Sequence, residues 1–185
     1  MDPRAVVLVE GVSDQVALET LAERRGRDLA AEQISIVPIG GAQSIGRYLE
    51  RFGAQGLGVK LAGLCDAGEE RDFQRGLERA GLGSNLDRDA MEALGFYVCD
   101  VDLEDELIRA LGAEAVERIA EAQGELGAFR TLQKQPAWRG RPTEEQLLRW
   151  LGSGARRKIR YARLLVEALE LTEVPRPLTL VLAHV

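Results

Sequence analysis

Acidic side chains recur at three places where a run of apolar residues breaks off. Val6-Val7-Leu8-Val9 is followed by Glu10 and, past a glycine, by Asp14. Val59–Cys65 leads to Asp66, and Phe96-Tyr97-Val98-Cys99 leads to Asp102 and Glu104. Carboxylate oxygens with no His or Cys companion suit hard cations, Mg²⁺ or Mn²⁺, and zinc is not expected. Cys65 and Cys99 lie alone inside apolar runs without Cys-x-x-Cys spacing and read as small buried hydrophobes. The one histidine, His184, stands near the C-terminus and reads as an end residue without a catalytic task. Taken singly, each acid also has an ordinary explanation. Glu10 could be a solvated strand end and Asp66 a helix N-cap, while Asp14, Asp102 and Glu104 could be first-turn acids favoured by the helix dipole. Their recurrence at three strand ends is what points to a shared site.

Sharing requires the three strands to end on one edge. Val6–Val9, with three β-branched residues in four, reads as a strand buried on both faces, and Ser13 as the N-cap of a helix with Val16, Ala17, Leu21 and Ala22 on one face. A second strand, 34–39, and a helix from Ala42 follow, then strand 59–66, helix 69–80, a short helix near Asp89, strand 96–99 and a helix with Leu103, Leu107 and Leu111 on its inner face. Strands alternating with helices predict an α/β fold, a four-stranded and mainly parallel sheet flanked by helices, whose strand ends share one edge. Beyond Ala113 only helix patterns remain. Thr143-Glu144-Glu145-Gln146 has the form of a capping box, and a further helix runs over 156–165. The expected division is a core over 1–112 and a helical C-terminal extension over 113–185, packed on that core.

Val-Glu-Gly-x-Ser-Asp, with Asp66 and Asp102-Leu103-Glu104 downstream, resembles the TOPRIM domain of topoisomerases, primases and several nucleases. Within that superfamily it is most similar to the OLD (overcoming lysogenization defect) nucleases. The resemblance covers residues 5–111 and, more loosely, the helical tail. It implies a Rossmann-like TOPRIM fold and a metal site of Glu10, Asp14, Asp66, Asp102 and Glu104 holding two Mg²⁺ or Mn²⁺ ions. Such a pair activates an oxygen nucleophile and stabilises charge on a phosphodiester. It also implies a lysine on a late helix, for which Lys158 is the candidate and Lys134 the rival, acting on transition-state charge beside Glu10. One position departs from the pattern: where the superfamily has Asp-x-Asp, this chain reads Asp66-Ala67-Gly68-Glu69-Glu70. Glu69 or Glu70, or a water, is left to fill that ligand position.

Charge is distributed unevenly. Residues 1–129 carry 13 Lys/Arg against 25 Asp/Glu, whereas residues 130–185 carry 11 against 5. An acidic half that gathers cations beside a basic half that neutralises phosphates suits an enzyme acting on nucleic acid. Arg139, Arg141, Arg156, Arg157 and Arg160 are the expected phosphate contacts; Trp150 reads as a packing residue, and Trp138, between polar residues, as either packing or a base-stacking platform. No apolar run is long enough to cross a membrane and no signal-peptide layout is present, so a cytoplasmic protein is expected. OLD proteins carry an ATPase ahead of the TOPRIM module. No Gly-x-x-x-x-Gly-Lys-Ser/Thr occurs here, so a separate ATPase or other protein is an expected partner, with the oligomeric state open. The function expected is metal-dependent nicking or cutting of DNA. The alternatives are a catalytically weakened nucleic-acid-binding or scaffold module and primase-like nucleotidyl transfer.

Overall fold

The computed structural model describes residues 2–185. Four strands, β1 (Ala5–Val9), β2 (Ile34–Pro38), β3 (Lys60–Asp66) and β4 (Phe96–Cys99), form one sheet in the order β2-β1-β3-β4. All three pairings are parallel, so the sheet is wholly rather than mainly parallel. Val9 stands beside Leu64, and Asp66 beside Cys99, so Glu10, Asp66 and the chain leaving β4 emerge on the same edge. The strand order reverses between β1 and β3, and the crevice at such a switch point is where open α/β sheets bind ligands.

The period of two along β1 divides the interior into two layers. Ala5, Val7 and Val9 face a core shared with α1 (Val12–Arg24), while Val6 and Leu8 face a second core under α2 (Ile45–Phe52), α3 (Glu70–Arg79) and α4 (Arg88–Ala93). All five β1 residues are 0 % exposed, which is why the strand reads as an unbroken apolar run. Short 3₁₀ turns, Ala42–Ser44 and Ala67–Glu69, precede α2 and α3.

The chain after β4 is helical: α5 (Leu103–Leu111), α6 (Ala113–Ala122), α7 (Leu126–Gln133), α8 (Thr143–Leu151), α9 (Ala155–Ala168) and α10 (Arg176–His184). Trp150 stacks edge-on to Tyr161 and lies against Phe129, tying α7, α8 and α9 together in the core that α1 also enters. Three arginines leaving α1 fasten the tail. Arg24 donates to the carbonyls of Val166 (2.8 Å) and Leu169 (2.5 Å) at the open end of α9, Arg25 to the Thr179 hydroxyl, and Arg27 to the Leu182 carbonyl. Among the described residues, no helix is long and apolar enough to cross a membrane.

Two predicted caps take another form. Gly11, not Ser13, is the N-cap of α1; Ser13 is buried within the first turn, and Asp14 reaches back to the Gly11 N–H at 2.8 Å. The Thr143–Gln146 box is also absent, because α8 starts behind Pro142 and the buried Gln146 amide is claimed by tertiary partners. It accepts from Gln133 and donates to the Trp138 carbonyl, both at 2.7 Å.

Candidate metal centre

The site is assembled by contacts between strand ends. Glu10, one residue past β1, accepts the Asp66 N–H through Oε1 at 2.7 Å. The Ala67 N–H in turn bonds the Val101 carbonyl at 3.1 Å, joining the turn after β3 to the loop after β4. That loop is fixed from behind by a residue the sequence reading passed over. The buried Glu106 accepts the Asp100 N–H at 2.8 Å and pairs with Arg109 at 3.0 Å, while Arg109 also holds Asp105 at 2.7 Å. Its one sequence signal is its place in an acidic run from Asp102 to Glu106. Asp102 is then the N-cap of α5, its Oδ1 accepting the Asp105 N–H at 2.8 Å.

Glu10, Asp14 and Asp102 thus share a design. One oxygen of each carboxylate is tied to a backbone N–H, which orients the group, and among the described residues no hydrogen bond holds the other. The Asp66 carboxylate accepts none at all among the described residues. Glu104, in the first turn of α5, is 2 % exposed; Oε2 pairs with the Lys158 ammonium of α9 at 3.0 Å, and Oε1 is buried without a hydrogen-bond partner. An unsatisfied buried carboxylate oxygen is costly, and either a proton or a bound cation relieves it.

The electrostatics join all six groups into one constellation. Burial pushes Glu10 up to about 7, with Glu69 and Asp14 adding to the rise. Asp66 is pushed up to about 8 by burial and by the charges of Glu10, Asp14 and Asp102, and burial likewise raises Asp14. Glu104 is raised by burial to about 7 in spite of its ion pair. Burial pulls Lys158 down, but Glu104, Asp14 and Asp66 outweigh it and hold the ammonium above its usual range. One lysine therefore faces a surplus of negative charge, and the hard oxygens fit Mg²⁺ or Mn²⁺. As the side chains stand, no three His, Cys, Asp or Glu among the described residues close tightly enough to hold an ion, so binding would draw the carboxylates inward.

Glu10, Asp14, Asp66, Asp102, Glu104 and Lys158 come together; the five arginines do not. Arg157 lies over Trp150 and, with Arg160, faces Glu125. Arg141 covers Trp138 and pairs with Glu145, Arg139 donates to the Lys134 carbonyl, and Arg156 is exposed at the start of α9. Lys134 is exposed at the end of α7, and no salt bridge joins it to a carboxylate among the described residues. Cys65 and Cys99 are buried free thiols, both raised by burial. A cleft of about 740 Å³ between α1 and β2 contains none of the site residues.

Comparison with known proteins bears on both fold and motif. Residues 3–67 match the family described as "Overcoming lysogenization defect protein-like, TOPRIM domain", a span that includes Glu10, Asp14 and Asp66. Nothing among curated proteins matches the sequence. Among solved structures, the C-terminal region of the Xanthomonas campestris pv. campestris OLD protein aligns with a TM-score of 0.76 at 24 % identity, over 98 % of this chain and 91 % of that one. Its iodine-phased structure gives 0.76 at 25 % identity, over 98 % and 93 %. The C-terminal region of the Burkholderia pseudomallei OLD protein gives 0.75 at 21 % identity, over 99 % and 96 %. The chain therefore carries an OLD-like TOPRIM sequence over residues 3–67 and, across nearly its whole length, the fold of the C-terminal region of OLD proteins.

Proposed function

We propose that the protein is a TOPRIM nuclease that nicks or cuts DNA, using two Mg²⁺ or Mn²⁺ ions held by Glu10, Asp14, Asp66, Asp102 and Glu104. The observation that carries this function is the buried, partnerless Oε1 of Glu104 within a group of carboxylates that a single lysine faces at the sheet's switch point. Divalent ions there would supply an activated oxygen nucleophile and neutralise charge on the phosphodiester. Glu10 and Asp14, oriented by the Asp66 and Gly11 N–H groups, would form one side of the centre, with Asp66 between them and the Asp102–Glu104 side. Lys158, 3.0 Å from Glu104, would offset charge developing on a phosphoryl oxygen. Arg156, Arg139 and Arg141 would take DNA phosphates on the exposed basic surface, and Arg157 and Arg160, braced by Glu125, would extend it.

In this scheme residues 1–112 are the catalytic core, and 113–185 form a helical extension whose task at the site is to deliver Lys158. The protein works in the cytoplasm, with a separate ATPase or other protein as partner. That expectation is supported by the solved relatives being C-terminal regions of larger OLD proteins.

A plasmid-nicking assay tests the function. Wild type should relax supercoiled DNA with Mn²⁺ or Mg²⁺ and not with EDTA, and Glu10→Ala and Asp102→Ala should each abolish this while remaining folded. Lys158→Ala should lower the rate with little change in DNA affinity, whereas Arg156→Ala should do the reverse. A glycine at 68, in place of the expected acid, favours one other reading, a binding or scaffold module. DNA binding by wild type without cleavage of supercoiled, linear or single-stranded DNA would establish that module instead.

A further inference from the structure

We propose that Glu69 is a further ligand of this metal centre, supplying from the 3₁₀ turn after β3 the carboxylate that Gly68 lacks. The assignment rests on the site being a metal centre, as argued above. The turn Ala67–Glu69 has Asp66 as its N-cap, and at three residues per turn a side chain three positions on comes back over the one below it. Glu69 is thereby returned to the side of the chain from which Asp66 projects, next to Glu10, which is bonded to the Asp66 N–H. Of the charges acting on Glu10, that of Glu69 is the largest, ahead of Asp14 and Lys158.

Glu69 is also free to move to an ion. Among the described residues, no hydrogen bond or ion pair holds its side chain, and it is only partly buried. Its neighbour Glu70 is committed elsewhere: Oε2 is gripped by Arg88 at 3.1 Å, and Oε1 accepts from Gln74. The partnerless Oε1 of Glu104 is an independent sign that this group of acids awaits a cation. The turn also admits a carboxylate one residue earlier. A Cβ on Gly68 would meet nothing within 4 Å, and the glycine's φ lies outside the left-handed region, so a side chain can be placed there without strain.

That freedom provides a compensation test on the purified full chain, read by Mn²⁺ affinity from electron paramagnetic resonance and by the Mn²⁺-induced rise in melting temperature. Glu69→Gln should weaken apparent Mn²⁺ affinity by about tenfold or more, since even outer-shell partners of a metal are worth that much. Its metal-free melting temperature should be unchanged or raised, because a repelling charge has gone. Glu70→Gln should leave Mn²⁺ affinity within about twofold of wild type, and Gly68→Asp added to Glu69→Gln should recover most of the loss. Wild-type affinity in Glu69→Gln, or an equal loss in Glu70→Gln, would overturn the assignment and leave the metal centre standing. Absence of Mn²⁺ binding by wild type would instead overturn the metal centre, and Glu69 with it.

Discussion

Among the described residues, the pairing of Glu104 with Lys158 is the one ion pair at the site, and its members differ in burial. Glu104 is 2 % exposed and the Lys158 side chain 36 %, so removing the lysine strands a buried acid, while removing the acid leaves a cation that water can reach. Lys158→Ala should lower the metal-free melting temperature, and Glu104→Gln should reverse most of that loss. A double-mutant cycle by chemical denaturation should give a coupling of about 1–2 kcal/mol, below that of a fully buried pair because the lysine is partly solvated. Asp66 presents the opposite case. It is raised by burial and by three neighbouring acids, and its carboxylate accepts no hydrogen bond among the described residues, so its charge opposes folding when no cation is bound. Asp66→Asn should therefore raise the metal-free melting temperature while sharply reducing the shift produced by millimolar Mn²⁺. A variant less stable than wild type without metal would show that Asp66 is held by contacts other than a cation.

At the scale of elements, close approach of β3 and β4 brings Asp66 beside the β4 loop, and a glycine permits it. A Cβ on Gly63 would lie 2.5 Å from the Phe96 ring and 3.1 Å from the Leu8 carbonyl, inside a strand pairing on both sides. Phe96 is 1 % exposed and packs against Phe73, so the ring has no room to retreat. Gly63→Ala should cost about 1–3 kcal/mol in urea unfolding through overpacking. The opposite end of the sheet carries His184. Its ring lies over Gly95 and Tyr97, and burial, then the charge of Lys60, holds its pKa below the usual value of 6.5. The folded state prefers the neutral ring, so this contribution is intact above the unfolded pKa and is lost as pH falls below it. The melting temperature of wild type should thus drop more between pH 7.5 and 5.5 than that of His184→Gln. Parallel curves would mean that His184 titrates alike in both states.

The whole molecule is held by a core that crosses the expected division at residue 112. Ala17, Leu18 and Leu21 of α1 share one buried cluster with Leu147, Trp150, Tyr161, Leu165 and Leu178 of the later helices, and Arg24, Arg25 and Arg27 bind the tail's backbone and hydroxyl groups. Residues 1–112 alone would expose that face of α1 and lose Lys158. Such a fragment should bind a hydrophobic dye and lack a sharp thermal transition, whereas the full chain should unfold in a single step. A fragment that melts cooperatively and keeps the Mn²⁺ shift would make the core an independent domain.

What the sequence determined by itself is whatever depends on near neighbours along the chain. The four buried strands, their alternation with helices, and an acid at the end of three of them are written in runs of four to seven residues, and that alternation leaves a parallel sheet as the simple outcome. Glu10, Asp14 and Asp66 could be named because they follow strand ends, whereas Asp102 and Glu104 were singled out of the acidic run 100–106 by the resemblance to the TOPRIM pattern. Tertiary structure decided everything that depends on partners far apart in the chain. Thr143 has a good capping side chain, yet the Gln146 that would complete its box is drawn away to Gln133 and Trp138. Glu69 and Glu70 are the same residue type side by side, and it is Gln74 and above all Arg88, brought over by α4, that engage Glu70 and not Glu69. Among the tail's many cations it was the docking of α9 that put Lys158, rather than an arginine, against Glu104. Local pattern records what a residue can do; closing a loop of tens of residues, with its cost in chain entropy met by burying α1 against α9, decides which residue does it.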